Sequence, residues 1–320
     1  MTKSIGGYFE LELRKGEHYH KDAIRLNTAR NCFEYILLAH HYKKVYIPYY
    51  TCEVMLQPLQ KHHIAYEFYH IGLDLEPIDI KSLKPDEAFL YTNYFGLKQA
   101  CVEKLAIIYG SQLIVDNAQA FYAPRVEGID TFYSPRKFFG VPDGGYLYTD
   151  QKFYINLPQD HSINRMRHLL VRIEDGAEAG YTEFQNADNS LDNKSFLRMS
   201  CLTSSILANI DYAYVSQVRR TNFCFLHQHL EKSNQFSLNN LSENEVPMVY
   251  PYYCKGGEDL KAYLIKNKVF VATYWTNVKK WCEVNDWEYL LAQDFVFLPI
   301  DQRYNEEDCK SIIKLLEYGF

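Results

Sequence analysis

Short apolar runs alternate with amphipathic stretches along the first two-thirds of the chain. The apolar runs predict strands at residues 45–48, 66–69, 88–92, 112–115, 131–134 and 145–149. Between them, the spacing of apolar positions predicts helices at residues 29–41, 53–62 and 99–109, the last ending at Gly110, a common C-terminal stop. Buried strands separated by helices are typical of a mostly parallel sheet covered on both faces. The pattern therefore predicts an α/β fold with a large three-layer α/β/α domain.

Beyond residue 155 the pattern changes. Residues 156–200 are polar and lack periodicity, most of all at 185–190, and predict a long loop of the kind that often forms a binding loop or lid. A long helix is predicted at 203–232, then a strand near 269–275, an apolar run at 295–300 and a helix at 306–318. These elements predict a small C-terminal α+β domain. We place the large domain at residues 1–215 and the small domain at residues 216–320.

Composition narrows the class of protein. Of the 320 residues, 47% are hydrophobic and 23% charged, which suits a globular protein with a full core. The net charge of −6, without a block of basic residues, argues against nucleic acid or an anionic membrane as a partner. Residues 1–7 lack the apolar core of a signal peptide, and no apolar run approaches the ~18 residues of a membrane span. Eight scattered cysteines without a Cys-x-x-Cys pair indicate neither zinc nor disulfides, and predict a reducing cytoplasm.

The candidate chemistry centres on Lys137. It closes Ser134-Pro135-Arg136-Lys137, with Gly144-Gly145 seven residues later, and the strand upstream ends at Asp116. A strand-end carboxylate, a serine and a lysine are the parts of a pyridoxal phosphate (PLP) site. The lysine holds the aldehyde as a Schiff base, the carboxylate keeps the pyridine nitrogen protonated, and the serine hydroxyl binds the phosphate. Singly, each residue has a plainer explanation, since lysine is usually a surface residue and a strand-end aspartate usually a turn or cap residue.

The topology supports this site. Asp116, Asn93 and Ser134 each fall at the carboxyl end of a predicted strand, where parallel sheets bind their ligands. Asn27 and Thr28 are good N-cap residues ahead of the first helix, and a helix start offers free N–H groups to a phosphate. A plain helix cap is the alternative explanation of Thr28. Together these residues predict a PLP site at the carboxyl edge of the sheet.

The chain resembles fold-type I PLP-dependent enzymes, and among them the DegT/DnrJ-type sugar aminotransferases. The motifs that carry this resemblance are Leu26-Asn27-Thr28-Ala29-Arg30, Asp116-Asn117-Ala118-Gln119, Ser134-Pro135-Arg136-Lys137 and the closing Leu298-Pro299-Ile300 before Glu306-Glu307-Asp308. The resemblance implies that Lys137 is the Schiff-base lysine, that Asp116 pairs with the pyridine nitrogen and that Gln119 lies beside the cofactor ring. It also implies that Thr28 and Ala29 form the phosphate cradle.

The sequence departs from the family pattern in several places. Cys52 follows the Pro-x-x-Thr stretch where many members place an aromatic residue over the ring, which leaves Tyr50 and Tyr94 as alternative ring-covering residues. Asn93 stands where the family often has histidine, and is a candidate partner of the cofactor's phenolic oxygen. Ser134 lies closer to the lysine than in many sugar aminotransferases. The segment Phe196-Leu197-Arg198-Met199 stands where members carry a cross-subunit phosphate asparagine, so Arg198 is either its substitute or a structural arginine.

The resemblance implies a PLP-dependent aminotransferase that moves an amino group from glutamate to a keto-sugar nucleotide. It also implies a homodimer, or a dimer of dimers, with shared active sites. A non-sugar ketone stays open as the acceptor. Two other functions stay open: a PLP enzyme of another reaction type, and a non-catalytic PLP-binding regulatory protein. In the family's sugar dehydratases histidine replaces the lysine, so Lys137 favours transamination.

Overall fold

The structure is a computed structural model that describes residues 5–153 and 156–319. The strands are β1 (Ile24–Leu26), β2 (Lys44–Pro48), β3 (Ala65–Tyr69), β4 (Glu87–Thr92), β5 (Leu113–Asn117), β6 (Asp130–Tyr133), β7 (Gly145–Tyr148), β8 (Tyr250–Tyr253) and β9 (Phe295–Leu298). The helices are α1 (Ala29–His40), α2 (Leu56–Lys61), α3 (Gln99–Tyr109), α4 (Arg167–Glu174), α5 (Tyr181–Asn189), α6 (Cys201–Leu207), α7 (Tyr212–Leu230), α8 (Gly257–Lys266), α9 (Val278–Trp281), α10 (Trp287–Asp294) and α11 (Glu306–Gly319).

Seven strands form one mostly parallel sheet, in the order β1-β7-β6-β5-β4-β2-β3. β2 to β6 run parallel, and β7 is antiparallel to both of its neighbours, β6 and β1. Because β7 runs in the opposite direction, its first residue lies at the edge where the other six strands end. The carboxyl edge of the sheet therefore also receives the Gly144-Gly145 pair.

Alternate strand residues point into two cores, one on each face of the sheet. On one face Val45, Leu90 and Ile114 pack with residues of α1 and α2. On the other face Val115 and Tyr133 pack in a cluster that also includes residues of α3 and α7. This alternation follows from the two-residue period of a strand. The predicted three-layer α/β/α architecture is confirmed.

A second, two-stranded antiparallel sheet of β8 and β9 lies in the C-terminal part. Residues of both strands, such as Tyr250 and Val296, pack in a separate core with α8, α11 and the second half of α7. The predicted small C-terminal α+β unit is thus present. The division at residues 215 and 216 stays a prediction, and α7 crosses it without a break. In the part of the chain that the structure describes, no helix has the length and apolarity to cross a membrane.

Several predicted elements were wrong. Residues 269–275 form no strand and make only one bridge, from Ala272 to Phe297, whereas β8 supplies the partner of β9. The helix predicted at 203–232 is two helices, because Asp211 caps a new start by accepting a hydrogen bond from the amide of Tyr214. Residues 156–200 contain α4 and α5 rather than one long loop, and residues 185–190 lie mostly within α5. The short strand β1 had no periodic signal because it has only three residues.

Candidate active site

The carboxyl edge of the sheet brings most of the predicted site residues together. Asp116 lies in β5, in register with Thr92 of β4 on one side and Phe132 of β6 on the other. Ser134 follows β6 directly, and a 3₁₀ turn from Pro135 to Lys137 comes next. The order of the strands, rather than proximity in sequence, makes Asp116 and Lys137 neighbours.

Asp116 is a buried carboxylate and Lys137 is an exposed lysine beside it. Burial raises the pKa of Asp116 to about 6, although a hydrogen bond from the amide of Ala118 and the charge of Lys137 both lower it. The Nζ atom of Lys137 lies 5.5 Å from the centroid of the Tyr274 ring. A buried carboxyl group of this kind is best stabilised by a cation placed against it. The protonated nitrogen of a heterocycle has that charge.

Cys52 lies near these two residues and near Arg30 of α1. Burial raises the pKa of its thiol, while the charges of Lys137 and Arg30 lower it and the charge of Asp116 raises it. Tyr50 and Tyr94 lie close by, with ring centroids 5.5 Å apart, and the Tyr94 hydroxyl donates to the carbonyl of Tyr50. Both tyrosines are fully buried. The charges of Asp116 and Lys137 thus both act on the small side chain of Cys52, and the charge of Asp116 also acts on Tyr94.

The start of α1 forms a cradle beside the lysine turn. Thr28 caps the helix by accepting a hydrogen bond at Oγ1 from the amide of Asn31, 3.0 Å away. The backbone amides of Ala29 and Arg30 belong to the first turn, where a helix start can donate its N–H groups to an anion. Thr28 also forms a bridge with Gly144, and a β-carbon on Gly144 would lie 2.9 Å from Cγ of Pro135. The structure thus places Thr28 and Ala29 next to the turn that begins after Ser134.

Gln119 and Asn93 differ in how their side chains are used. Gln119 is buried, and its Oε1 accepts a hydrogen bond from the amide of Phe95 at 3.2 Å. Its Nε2 has no hydrogen-bond partner within the described residues. Asn93 lies beside Asp116, but its Oδ1 accepts from the amide of Lys98 and its Nδ2 donates to Oε1 of Gln99. Its side chain therefore bonds the start of α3 through Oδ1 and through one of the two hydrogens on Nδ2.

These features fit PLP. The buried Asp116 carboxylate suits a pyridinium nitrogen, and the buried Gln119 Nε2 and Tyr50 hydroxyl lack partners within residues 5–153 and 156–319. The helix start at Thr28 suits a phosphate. Lys137, whose charge acts on Asp116, would supply the amine that holds the aldehyde. Among those same residues, no cluster of three or more side chains could hold a metal ion, and all eight cysteines are free.

A buried ionic network behind the cradle was missed by sequence reasoning. Asp143, fully buried, accepts hydrogen bonds from Arg165 at 3.1 Å and from the Ser200 hydroxyl at 3.1 Å. Arg165 also donates to Asp160 at 2.7 Å. The network fixes the residue that precedes Gly144. No sequence signal could have found it, because its members come from three separate segments without a shared motif.

The segment that contains Arg198 is tied to its own chain. The amide of Asn27 donates to the carbonyl of Leu197 at 3.0 Å, and Leu26 and Arg198 form an antiparallel bridge. The Arg198 side chain is exposed and, with Arg25, lines an open cavity of about 690 Å³ beside β1. Arg198 is thus near the cradle's outer side rather than between Thr28 and Lys137.

Comparison with solved structures identifies the fold. Neither the protein-family models nor the curated proteins include a match to this sequence. The sugar aminotransferase CalS13 from Micromonospora echinospora is 15% identical, with a TM-score of 0.60 over 93% of this chain and 87% of that chain. NtdA from Bacillus subtilis with bound cofactor PMP is 15% identical, with a TM-score of 0.60 over 91% and 73%. The dehydratase ColD with bound GDP-perosamine is 13% identical, with a TM-score of 0.60 over 92% and 88%. This chain has the fold of these proteins, which confirms the predicted α/β fold.

Proposed function

We propose that the protein is a PLP-dependent aminotransferase. The observation that carries this proposal is the pairing of a buried Asp116, whose pKa is raised to about 6 by burial, with Lys137 on the neighbouring strand end. The likeness to the sugar aminotransferase CalS13 and to PMP-bound NtdA supports it. We take Lys137 and Asp116 as the catalytic residues, and Thr28, Ala29, Asn93, Gln119 and Ser134 as cofactor-binding residues.

Each residue has a defined role in this proposal. PLP, when bound, acts as an electron sink for the pair of electrons left at the donor's α-carbon. Asp116 holds the proton on the pyridine nitrogen, which keeps the ring electron-poor. Lys137 anchors the cofactor covalently, and its freed Nζ then moves the proton that leaves the donor's α-carbon. Thr28, Ala29 and Ser134 hold the phosphate, and Gln119 binds beside the ring.

The substrates follow from the resemblance. We propose glutamate as the amino donor and a keto-sugar nucleotide, or a similar ketone, as the acceptor; the donor leaves as its keto acid and the ketone becomes an amine. CalS13 is a sugar aminotransferase, and ColD was solved with a nucleotide sugar bound. Because ColD is a dehydratase with the same fold, the fold alone does not select transamination. Lys137 favours it.

One experiment separates the candidate functions. The PLP-loaded protein is mixed with glutamate and no acceptor, and released keto acid is measured per bound cofactor. An aminotransferase releases about one keto acid per site in this half-reaction and then stops. In a second reaction a keto-sugar nucleotide is added, and a sugar product that has lost water and gained no nitrogen indicates a dehydratase. Covalent PLP with no product from any donor indicates a non-catalytic binding protein, and either result contradicts the proposal.

We further propose that two copies form a dimer with shared active sites. In the single chain the Lys137 side chain is exposed, whereas such a reactive group works best shielded from water. Large apolar side chains of the 156–200 region are also exposed, including Ile163, Ile173 and Tyr181. Arg198, on the same region, is our candidate for the residue that reaches the partner's cofactor. The eight free cysteines support the proposal that the protein acts in a reducing compartment such as the cytoplasm.

A further inference from the structure

Arg219 is a fully buried cation on α7 whose bonding is unusual. Only 2% of it is exposed, and burial lowers its pKa to about 10. Within the described residues its hydrogen bonds go to backbone carbonyls rather than to a carboxylate: Met248 at 2.9 Å, Pro247 at 3.5 Å and Phe138 at 3.3 Å. The charge of Asp301 raises the Arg219 pKa, but that carboxylate makes no hydrogen bond to the guanidinium. Burying a guanidinium without a directly bonded carboxylate is costly, so its three carbonyl partners need an explanation.

The carbonyl of Phe138 is the informative partner, because Phe138 directly follows Lys137. The Arg219 guanidinium carbon also lies 4.5 Å from the centroid of the Phe138 ring. Gln302 donates to the same carbonyl through Nε2 at 2.9 Å. Both donors come from beyond residue 216, so the C-terminal part of the chain holds the backbone of the lysine turn from two sides.

The other partners of Arg219 lead back to the Asp116 segment. The amide of Met248, whose carbonyl accepts from Arg219, donates to the carbonyl of Phe95 at 2.8 Å. The amide of Phe95 in turn donates to Oε1 of Gln119 at 3.2 Å. A continuous series of hydrogen bonds therefore joins the segment after Asp116 to the residue after Lys137, and Arg219 is the member that donates to Phe138.

We propose that Arg219, supported by Gln302, is a positioning residue that sets the location of Lys137 Nζ relative to Asp116. The exposed Lys137 side chain has few contacts of its own, so its placement depends on its backbone. A planar guanidinium donates to carbonyls in fixed directions, which a lysine ammonium does not reproduce. The inference rests on the proposed function, because it concerns how Lys137 captures PLP.

The test uses two variants and two matched controls. Arg219→Lys keeps the buried charge but removes the planar guanidinium with its fixed N–H directions. Gln302→Leu removes the second donor to the carbonyl of Phe138. Arg220→Lys is the control for the first, because Arg220 on the same helix donates to the carbonyls of Ser242 and Glu245. Gln112→Leu is the control for the second, because Gln112 donates to the carbonyls of Lys84 and Glu87 far from Lys137.

Three quantities are measured for each full-length protein. The first is the rate at which the cofactor-free protein binds PLP covalently, followed by visible absorbance and borohydride trapping. The second is the pH midpoint of the bound chromophore. The third is the urea midpoint of unfolding, which reports a merely structural role.

We expect Gln302→Leu to slow PLP capture about tenfold and Arg219→Lys to slow it about a hundredfold, as misplacement by about 1 Å can do. We also expect both to shift the chromophore's pH midpoint, and the controls to change neither. The inference is overturned if the rate of PLP capture and the pH midpoint are both unchanged in Gln302→Leu and in a folded Arg219→Lys protein. If Arg219→Lys does not fold, the result for Gln302→Leu decides alone. Failure of the wild-type protein to capture PLP overturns the proposed function instead.

Discussion

Gly145 and Thr28 approach so closely that a β-carbon on Gly145 would lie 2.5 Å from the carbonyl oxygen of Thr28. The same β-carbon would lie 2.7 Å from the amide nitrogen of Ala29. β7 therefore packs directly against the start of α1, and only a residue without a side chain permits this. The helix start that we assign to the phosphate is held in place by this contact.

Gly145→Ala should displace the start of α1. We expect a loss of about 1–3 kcal/mol in the free energy of unfolding, as overpacking typically costs, and at least a tenfold loss of PLP affinity. Gly140→Ala is the matched control, since its β-carbon would meet only Leu169 at an ordinary 3.5 Å. Urea denaturation and PLP titration measure both effects. Wild-type PLP affinity in Gly145→Ala would remove the α1 start from the site.

Asp116 predicts a pH dependence of the cofactor-free protein. Burial raises its pKa to about 6, whereas an unfolded aspartate titrates near pH about 4. Between these values the folded chain binds the proton and the unfolded chain does not, so stability falls as pH rises through this window and stays lower above it. Asp116→Asn lacks this titration.

The measurement compares urea unfolding of cofactor-free wild type and Asp116→Asn from pH about 4 to about 7. We expect the wild type to lose about 2 kcal/mol relative to the variant over this range. Asp79→Asn, at an exposed position, serves as the control. With PLP bound, we expect the variant's turnover to fall by orders of magnitude, because it cannot hold the pyridine proton. A flat difference in stability, or full activity of Asp116→Asn, contradicts the assignment.

The sequence was sufficient for the sheet because its buried strands are continuous apolar runs with helices between them. It also placed Asp116 and Ser134 at the carboxyl edge, because Asp116 lies near the end of β5 and Ser134 directly follows β6, and Lys137 closes the short turn after Ser134. The roles of these three residues stay a prediction. Arg219 and Asp143 could not be found in this way. Their partners, Phe138 and Arg165, are distant or unpatterned in sequence, and only the packing of the chain brings them together.

Arg165→Met should destabilise the protein strongly. It leaves the carboxylates of Asp143 and Asp160 buried without their shared cation, and breaking a buried pair costs about 3–5 kcal/mol. Arg167→Met is the control, because Arg167 pairs with Glu183 at an exposed position, where loss costs below about 1 kcal/mol. Urea denaturation measures the difference. Equal small losses in both variants would show that the network does not hold the loop before Gly144.

The oligomeric state can be measured directly. We expect sedimentation to show a dimer or a dimer of dimers, and Arg198→Ala to keep that assembly while PLP binds about tenfold more weakly, as loss of one charged hydrogen bond can cause. Two-fold assemblies are the commonest oligomers of soluble proteins. A fully active monomer would contradict shared sites. A dimer with unchanged PLP affinity in Arg198→Ala would remove only the role of Arg198.

Covalent capture of PLP tests the central claim most directly. Wild type, Lys137→Ala and the control Lys43→Ala, at an exposed lysine in the strand region, are loaded with PLP, reduced with borohydride and mapped by peptide mass spectrometry. We predict a reduced adduct on the Lys137 peptide in wild type and Lys43→Ala, and none in a folded Lys137→Ala protein. An adduct that persists in Lys137→Ala, or that lies on another lysine in the wild type, would contradict the account.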